Sequence, residues 1–353
     1  MLKHFTYCLL ASLALVLSAC KQNENQPNSQ NGASKKAKTK AEFVLSYSIF
    51  FPSTHIHAIL AEQWAEEVHQ RSGGRIRVNV YPGGVLSSAS ENFECVRNGV
   101  SDLGMSCFSY SRGMFPMIEG LDLPWGYQSG KQATKIANAY IRNFNPAELN
   151  EVAFMFAHAH GPGILASRKK INTAAEFSGM TVRGTGLSAQ MIQALKGNPV
   201  GMSQGDAYEA LRKGVVDATL CPIETLKGWK QGEVIDYVIR IPAIAYTTVV
   251  FLVMNKNTWE KLPPELQQII TEVNLEWQDK HGQAWDDADL EGEQFVRELG
   301  KTIMDFPPQE NDLIHQAFTP MFQDWAAKLE EKQLPGKQAL QFLSEQFTPT
   351  KQP

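Results

Sequence analysis

The chain has 353 residues, of which 43% are hydrophobic and 20% charged, and its formal net charge is -4. This length suits two domains or one large α/β domain, and the composition is that of an ordinary globular protein. A slightly acidic balance without a basic, aromatic-interleaved stripe gives no reason to expect nucleic-acid binding.

The first residues, 1–20, predict a lipoprotein signal peptide. A short basic start precedes an apolar run from Tyr7 to Leu17, which is too short for a permanent membrane span. Cys20 directly follows Leu-Ser-Ala and resembles the bacterial lipobox cysteine, whose thiol receives diacylglycerol. The alternative is an ordinary signal peptide with a chance cysteine.

Residues 21–40 contain no large apolar side chain, so they cannot offset the entropy of ordering and are predicted to form a disordered tether. We therefore expect a periplasmic, extracytoplasmic protein that is lipid-anchored to a bacterial membrane. The remaining cysteines are Cys95, Cys107 and Cys221. An odd number argues against a disulfide framework, and buried thiols are favoured over a Cys95–Cys107 bridge.

The first elements after the tether predict an α/β fold. Residues 43–49 alternate in the β-rich pattern of a strand, and 57–70 carry the apolar spacing of a helix. A Ser-Gly-Gly stop at 72–74 precedes a strictly alternating strand over 75–81.

Two segments repeat one pattern: VRNGVSDLGMSCF at 96–108 and LRKGVVDATLCPI at 211–223. Each predicts a helix that ends at a glycine, Gly99 or Gly214, followed by an aspartate and a short buried strand. Capping-box patterns at 88–91 and 203–206 precede the two helices. The repetition predicts two α/β lobes of similar plan, with chance agreement as the alternative.

Ligands in such sheets bind beyond the carboxyl ends of the strands. Cys107 and Cys221 are therefore expected to face one crevice from opposite sides.

The later elements complete a two-lobed prediction. Residues 154–158 predict a strand, 169–179 a loop with a short helix, and 180–183 a strand that enters a glycine-rich turn. A long apolar segment over 243–254 suits a buried strand crossing between the lobes. Residues 258–299 predict a long helix lying across both lobes, and 311–347 an amphipathic helical tail.

Catalytic and metal motifs are absent from the sequence. HExxH, CxxC, GxSxG and Walker patterns do not occur, and the Gly-Thr-Gly at 184–186 lacks the third glycine of a dinucleotide fingerprint. The pairs His55/His57 and His158/His160 lack a thiolate or carboxylate at matching spacing. We therefore expect neither a metal nor a cofactor, and no enzyme activity.

Arg183 ends an apolar strand at the glycine-rich turn. A guanidinium at that place could hold a carboxylate through two parallel charge-assisted hydrogen bonds. A surface arginine paired with a nearby acid fits the spacing equally well.

Several motifs in order resemble the solute-binding proteins of tripartite ATP-independent periplasmic (TRAP) transporters, DctP type. They are YPGG, NGVSDLG, GMTVRG, GDAYEALRKGVVDATLCPIETLKGWK and FLVMNKNTWEKLPPELQ, and the likeness runs from about residue 41 to the C-terminal helix. The resemblance implies a two-lobed periplasmic-binding-protein fold (type II-like), with crossover strands and a long helix bracing both lobes. It also implies a cleft that closes on an organic acid and delivers it to a membrane permease.

By this resemblance Arg183 matches the arginine that grips the substrate carboxylate. A second binding arginine of the family falls on Gly163, and Cys221-Pro222 replaces an Asn-Pro. These departures, together with the aromatic candidates Phe50 and Trp125, favour an aromatic or apolar monocarboxylate such as a 2-oxo acid. The predicted binding residues are Arg183, Phe51, His55, Phe108, Ser109, His160, Cys221, Glu224, Tyr246 and Thr247.

The predicted first lobe comprises 41–162 plus 249–290, and the second comprises 163–248 plus 291–347. We expect a monomer that binds a small organic acid and the TRAP permease subunits. The alternatives are the ligand-binding component of a sensory system and a secreted hydrolase or lyase that uses His160 and Glu224.

Overall fold

The structure is a computed structural model and describes residues 41–347. The predicted signal peptide, the lipidation site Cys20 and the tether lie outside the described residues. In chain order the strands are β1 (Phe43–Ile49), β2 (Ile76–Tyr81), β3 (Leu103–Cys107), β4 (Val152–Ala159), β5 (Ile164–Ser167), β6 (Thr181–Arg183), β7 (Asn198–Val200), β8 (Ala218–Cys221), β9 (Tyr237–Arg240), β10 (Val249–Asn255) and β11 (Thr302–Asp305).

The helices connect these strands and cover both sheets. In chain order they are α1 (Ile56–Arg71), α2 (Asn92–Arg97), α3 (Gly130–Phe144), α4 (Gly186–Ala194), α5 (Gln204–Arg212), α6 (Thr225–Gly228), α7 (Lys256–Lys261), α8 (Pro264–Glu298), α9 (Pro308–Glu331) and α10 (Gly336–Phe347). None of the helices in residues 41–347 is long and apolar enough to cross a membrane.

The two sheets share one topology. The first has the strand order β2-β1-β3-β10-β4, and the second, taken from its far edge, has β7-β6-β8-β5-β9-β11. In both, the first three strands are parallel and the next two pairings are antiparallel. This confirms the α/β fold with two similar lobes that the repeated segment predicts.

The repeated segment also makes the same contact twice. Asp102, just before β3, accepts a hydrogen bond from the backbone N–H of Ser46 in β1 at 2.8 Å. Asp217, just before β8, accepts one from the N–H of Thr181 in β6 at 3.0 Å. Each aspartate thereby ties its strand to the parallel neighbour.

The glycines of the repeat behave as predicted, whereas the capping boxes do not. Gly99 and Gly214 have φ angles of 74° and 71°, the left-handed conformation that ends a helix without a steric penalty. The hydroxyls of Ser88 and Ser203 donate to acidic side chains three residues later. These hydroxyls do not cap the backbone, and α2 begins only at Asn92.

Helix α8 runs for 35 residues and contacts both lobes, as predicted. In the first lobe the Trp277 indole donates to the backbone oxygen of Leu60 at 2.7 Å. In the second lobe a Cβ at Gly292 would lie 2.4 Å from the backbone oxygen of Ile223, so only glycine permits this close approach. The helix therefore fixes how the two sheets face each other.

Two predicted elements differ from the structure. The strand expected from residue 243 begins at Val249. The Ala245 oxygen accepts the N–H groups of Gly126 and Tyr127, so residues 243–248 form a connecting segment rather than part of the strand. The helical tail is confirmed, but α10 packs against α3, beside the first sheet. The lobe boundaries themselves stay a prediction.

The three cysteines of the described range are free thiols. Cys107 and Cys221 are buried and Cys95 is partly buried, in agreement with the favoured interpretation.

Candidate functional site

A cavity lies between the two sheets, where the carboxyl ends of strands from both lobes meet. It has about 410 Å³ free of protein atoms, counting its mouth. Residues that directly follow β1, β4 and β8, together with the last residues of β3 and β6, reach its wall, as expected for α/β sheets. The lining residues are Phe50, Phe51, Cys107, Tyr110, His160, Arg183, Thr185, Gln204, Pro222, Glu224, Thr225, Trp229, Tyr246, Thr248, Val250 and Trp285.

Arg183 is the cation of this wall and is only 4% exposed. Its Nε and Nη2 atoms donate to the Met202 oxygen at 3.1 and 3.0 Å, and Nη1 donates to the Leu220 oxygen at 3.2 Å. These contacts use three of the five N–H groups of a guanidinium, which leaves one on each Nη atom.

No acidic side chain among residues 41–347 forms an ion pair with Arg183. Burying an unpaired charge is costly. The guanidinium, held by backbone oxygens with two N–H groups left over, is therefore arranged to bind an anion.

The turn after β6 directs Arg183 into the cavity. A side chain at Gly184 would crowd Ile192, since a Cβ there would lie 2.6 Å from Cδ1 of Ile192. Thr185 then caps α4, and its own N–H donates to the Ser188 hydroxyl at 2.9 Å. This reciprocal capping box fixes the direction of the chain as it leaves the strand.

Aromatic rings supplied by both lobes form an apolar wall. Phe50 lies 4.1 Å from Phe51 and stands edge-on to Tyr110 at 5.6 Å between ring centroids. Trp229 of the second lobe stacks on Phe50 at 5.9 Å. Such flat surfaces suit an apolar or aromatic ligand body.

Hydrogen bonds across the cleft join the lobes, so the structure describes a closed conformation. Nε2 of His55 lies 3.1 Å from a Glu224 carboxylate oxygen, and both side chains are buried. The Gln204 N–H donates to the Tyr110 hydroxyl, also at 3.1 Å. These contacts form only when the lobes are together.

The cavity offers no activated nucleophile. Burial raises the pKa of the Cys107 and Cys221 thiols to about 12, so both stay protonated. Burial lowers the pKa of His160 to about 4, and its Nδ1 lies 2.6 Å from the Gly161 oxygen. Glu224 pairs with His55 rather than with His160, so the proposed acid–base pair of a hydrolase is not formed.

One histidine cluster could in principle hold a metal, although it is not either of the pairs noted in the sequence. His57, His158 and His281 offer nitrogens within 4.8 Å of one another. The rings of His158 and His281 stack at 4.3 Å, and stacked rings direct their in-plane lone pairs side by side rather than toward one point. Nδ1 of His158 already accepts from the Trp285 indole. The arrangement is that of a hydrogen-bonded packing cluster.

The structure brings five of the predicted binding residues to the cavity wall: Phe51, His160, Arg183, Glu224 and Tyr246. His55 lies behind the wall, where it bonds Glu224. Ser109 lies at the mouth of the cleft, 3.4 Å from the Thr185 hydroxyl.

Other predicted residues lie elsewhere. Phe108 points into the core against Phe251, because side chains alternate along the chain and Cys107 takes the cavity side. Cys221 is fully buried off the wall. The Thr247 hydroxyl donates to the His160 oxygen, and the candidate Trp125 packs on Phe347.

Sequence reasoning missed several lining residues, among them Tyr110, Gln204, Trp229 and Trp285. Trp285 lies within the long helix α8. A glutamine at the start of an amphipathic helix is ordinarily exposed, so nothing in the sequence distinguishes Gln204.

The model of the family described as "Bacterial extracellular solute-binding protein, family 7" (DctP) matches residues 47–329. The 2,3-diketo-L-gulonate-binding periplasmic protein of Escherichia coli K12 is 26% identical over 218 residues, which cover 60% of this chain and 66% of that protein.

Two solved structures of TRAP solute-binding proteins are also similar. One, from Rhodoferax ferrireducens in complex with copurified benzoate, has a TM-score of 0.81, is 26% identical and covers 86% of this chain and 97% of the other. The second, from a marine metagenome and in complex with 3-hydroxybenzoate, has a TM-score of 0.82, is 26% identical and covers 89% and 100%.

The TM-scores show that the two-sheet fold of this chain is shared with these structures. The matched family and the similar structures are transport proteins rather than enzymes. The chain therefore belongs to the DctP family, the extracytoplasmic solute-binding proteins that serve the membrane permeases of TRAP transporters.

Proposed function

We propose that this protein captures a small aromatic monocarboxylate in the cleft between its lobes and delivers it to the TRAP permease subunits. The observation that carries the proposal is Arg183, a buried guanidinium with two free N–H groups and no acidic partner among residues 41–347. A bound carboxylate supplies the missing charge and accepts both N–H groups in parallel.

One carboxylate fits this cavity better than two. Arg183 is the only cation among its lining residues, and Glu224 adds a carboxylate to the wall. A second ligand carboxylate would lie near that acid without a cation of its own, which is unfavourable away from water.

Gly163 explains why a second binding arginine is not accommodated here. A Cβ at this position would lie 2.1 Å from Cε1 of Tyr246. The tyrosine ring therefore fills the space that a longer residue at 163 would need, and an aromatic surface stands where the family resemblance expects a cation.

The ring-lined wall supports an aromatic ligand body. Phe50, Phe51, Tyr110, Trp229 and Tyr246 present flat apolar faces, which would leave most hydroxyls of a sugar acid without partners. The relatives solved with benzoate and with 3-hydroxybenzoate support the same ligand class, whereas the Escherichia coli relative is named for a sugar acid.

Ligand binding stabilises the closed form because the contacts come from both lobes. Arg183 belongs to the second lobe, whereas Phe50 and Tyr110 belong to the first. A ligand that touches all three makes those contacts only when the cleft is shut, and this differential binding shifts the open–closed equilibrium.

Isothermal titration calorimetry of ligand-stripped protein tests this function. Benzoate, 3-hydroxybenzoate, succinate and L-gulonate form the panel. Tight binding of an aromatic acid with no heat from succinate or gulonate is expected. Tight succinate or gulonate binding without aromatic-acid binding would overturn the proposal.

We further propose that Cys20, which lies outside the described residues, anchors the mature protein by a lipid. A Cys20→Ala variant expressed in a bacterial host is expected to leave the membrane fraction and to lose label from an alkyne fatty acid. Equal labelling of the variant and the natural sequence would contradict the anchor.

A further inference from the structure

We propose that the Gln204 side chain hydrogen-bonds a hydroxyl group on the ligand. The protein would then bind hydroxylated aromatic acids more tightly than their unsubstituted parents. This inference rests on the proposed function and narrows its ligand class. It makes Gln204 a specificity-determining residue, separate from the cation that holds the carboxylate.

The Gln204 side chain is buried in the cavity wall without a partner. It is the first residue of α5, is 6% exposed, and its backbone N–H donates to Tyr110 across the cleft. Neither Oε1 nor Nε2 of its amide has a hydrogen-bond partner among residues 41–347. A buried amide left unsatisfied at both ends is destabilising, and such groups in native proteins call for an explanation.

The ligand carboxylate alone cannot satisfy this amide. An ionised carboxylate only accepts hydrogen bonds, so it can pair with Nε2 but not with the acceptor Oε1. A hydroxyl both donates and accepts. A ligand hydroxyl is therefore the smallest common substituent that can supply the donor that Oε1 lacks.

Several neighbouring polar groups of the protein are already engaged. The Tyr110 hydroxyl accepts the Gln204 N–H. The Glu224 carboxylate is hydrogen-bonded to His55. The Thr185 hydroxyl lies 3.4 Å from the Ser109 hydroxyl across the cleft. None of these groups bonds the amide, so both of its polar atoms are free to pair with a ligand in the cavity.

Gln231 provides a matched control within the same lobe. Its amide is likewise buried with both atoms unpaired, but it sits in the turn at Gln231–Val234 and does not line the cavity. Replacing either glutamine with leucine removes one unsatisfied amide, yet only Gln204→Leu changes the cavity wall.

The test is calorimetry of the natural sequence, Gln204→Leu and Gln231→Leu against benzoate, its three monohydroxy isomers, phenylacetate, 3-hydroxyphenylacetate and mandelate. We expect the natural sequence and Gln231→Leu to bind at least one hydroxylated acid about 10-fold or more tighter than its parent. Gln204→Leu is expected to lose that preference.

Each outcome separates this inference from the proposed function. Equal binding of parent and hydroxylated acids by the natural sequence would overturn the role of Gln204 but leave aromatic-acid capture intact. A preference that survives in Gln204→Leu would do the same. Binding of no aromatic acid by the natural sequence would instead refute the proposed function. Gln204→Met serves as a second apolar variant if circular dichroism shows that the leucine variant is unfolded.

Discussion

Replacing Arg183 with methionine removes the charge but keeps a long side chain in the cavity wall. The two N–H groups that the backbone oxygens leave free on Nη1 and Nη2 are the ones that we assign to the ligand carboxylate. The perturbation therefore deletes two charge-assisted hydrogen bonds and leaves a buried anion without its cation.

The magnitude follows from those two bonds. Hydrogen bonds to charged groups contribute about 1.5–3 kcal/mol each, and removing one partner of a buried ion pair costs about 3–5 kcal/mol. An affinity loss of about 3–5 kcal/mol corresponds to a Kd that is roughly 10²- to 10⁴-fold higher.

Calorimetry with the tightest aromatic acid measures the change, and the ligand-induced rise in Tm provides a second readout. Arg212→Met is the matched control, because Arg212 lies on the exposed face of α5 and pairs with Glu209. This control should bind with unchanged affinity. An Arg183→Met variant that binds within about threefold of the natural sequence would refute the assignment of Arg183 to the carboxylate.

Three further predictions concern the closure of the cleft, the wall of the cavity and the effect of pH on stability. His55→Ala removes a buried interlobe hydrogen bond. Ligand affinity measured by calorimetry should fall about 10-fold or more. Unchanged affinity would show that this bond does not stabilise the closed form. Gly163→Ala drives a methyl into the Tyr246 ring, so urea unfolding should show a loss of about 1–3 kcal/mol, whereas Gly205→Ala, which has room for a Cβ, should not. Burial lowers the pKa of His281 to about 3. Between about pH 6.5 and pH 3 the unfolded chain therefore binds a proton at this residue that the folded chain does not bind. The free energy of unfolding falls as the pH falls through this range. His281→Gln should flatten the dependence of the unfolding free energy by about 1.4 kcal/mol per pH unit below pH 6, and an unchanged slope would contradict the neutral, buried state of this imidazole.

The parts of the fold that the sequence predicts are those set by local, repeated chemistry. Gly99 and Gly214 end helices for the same steric reason. The long helix α8 follows from its continuous periodicity after the two prolines at its start. Such features need no knowledge of distant contacts.

Features that depend on distant partners were not predicted. Residues 243–248 have the composition of a strand, but their backbone pairs with the loop at Gly126 and Tyr127. The cluster of His57, His158 and His281 unites three segments far apart in the chain. No local pattern reveals such a meeting.

The candidate site shows the same division. Arg183 was predicted from the family resemblance, since its local strand and turn fit a surface arginine equally well, and its burial emerged only from the fold. Phe108 was predicted to face the cavity but faces the core. Neighbouring side chains point to opposite sides, so Cys107 faces the cavity instead. Gln204 could not be found from the sequence, because its distinguishing property is the absence of a partner.

A crystal structure of the protein with a bound aromatic acid tests the central claim most directly. The account predicts a closed cleft with both carboxylate oxygens about 2.7–2.9 Å from the Nη1 and Nη2 atoms of Arg183 and the ring between Phe50 and Tyr246. A carboxylate bound elsewhere, with the Arg183 guanidinium turned into solvent, would contradict it.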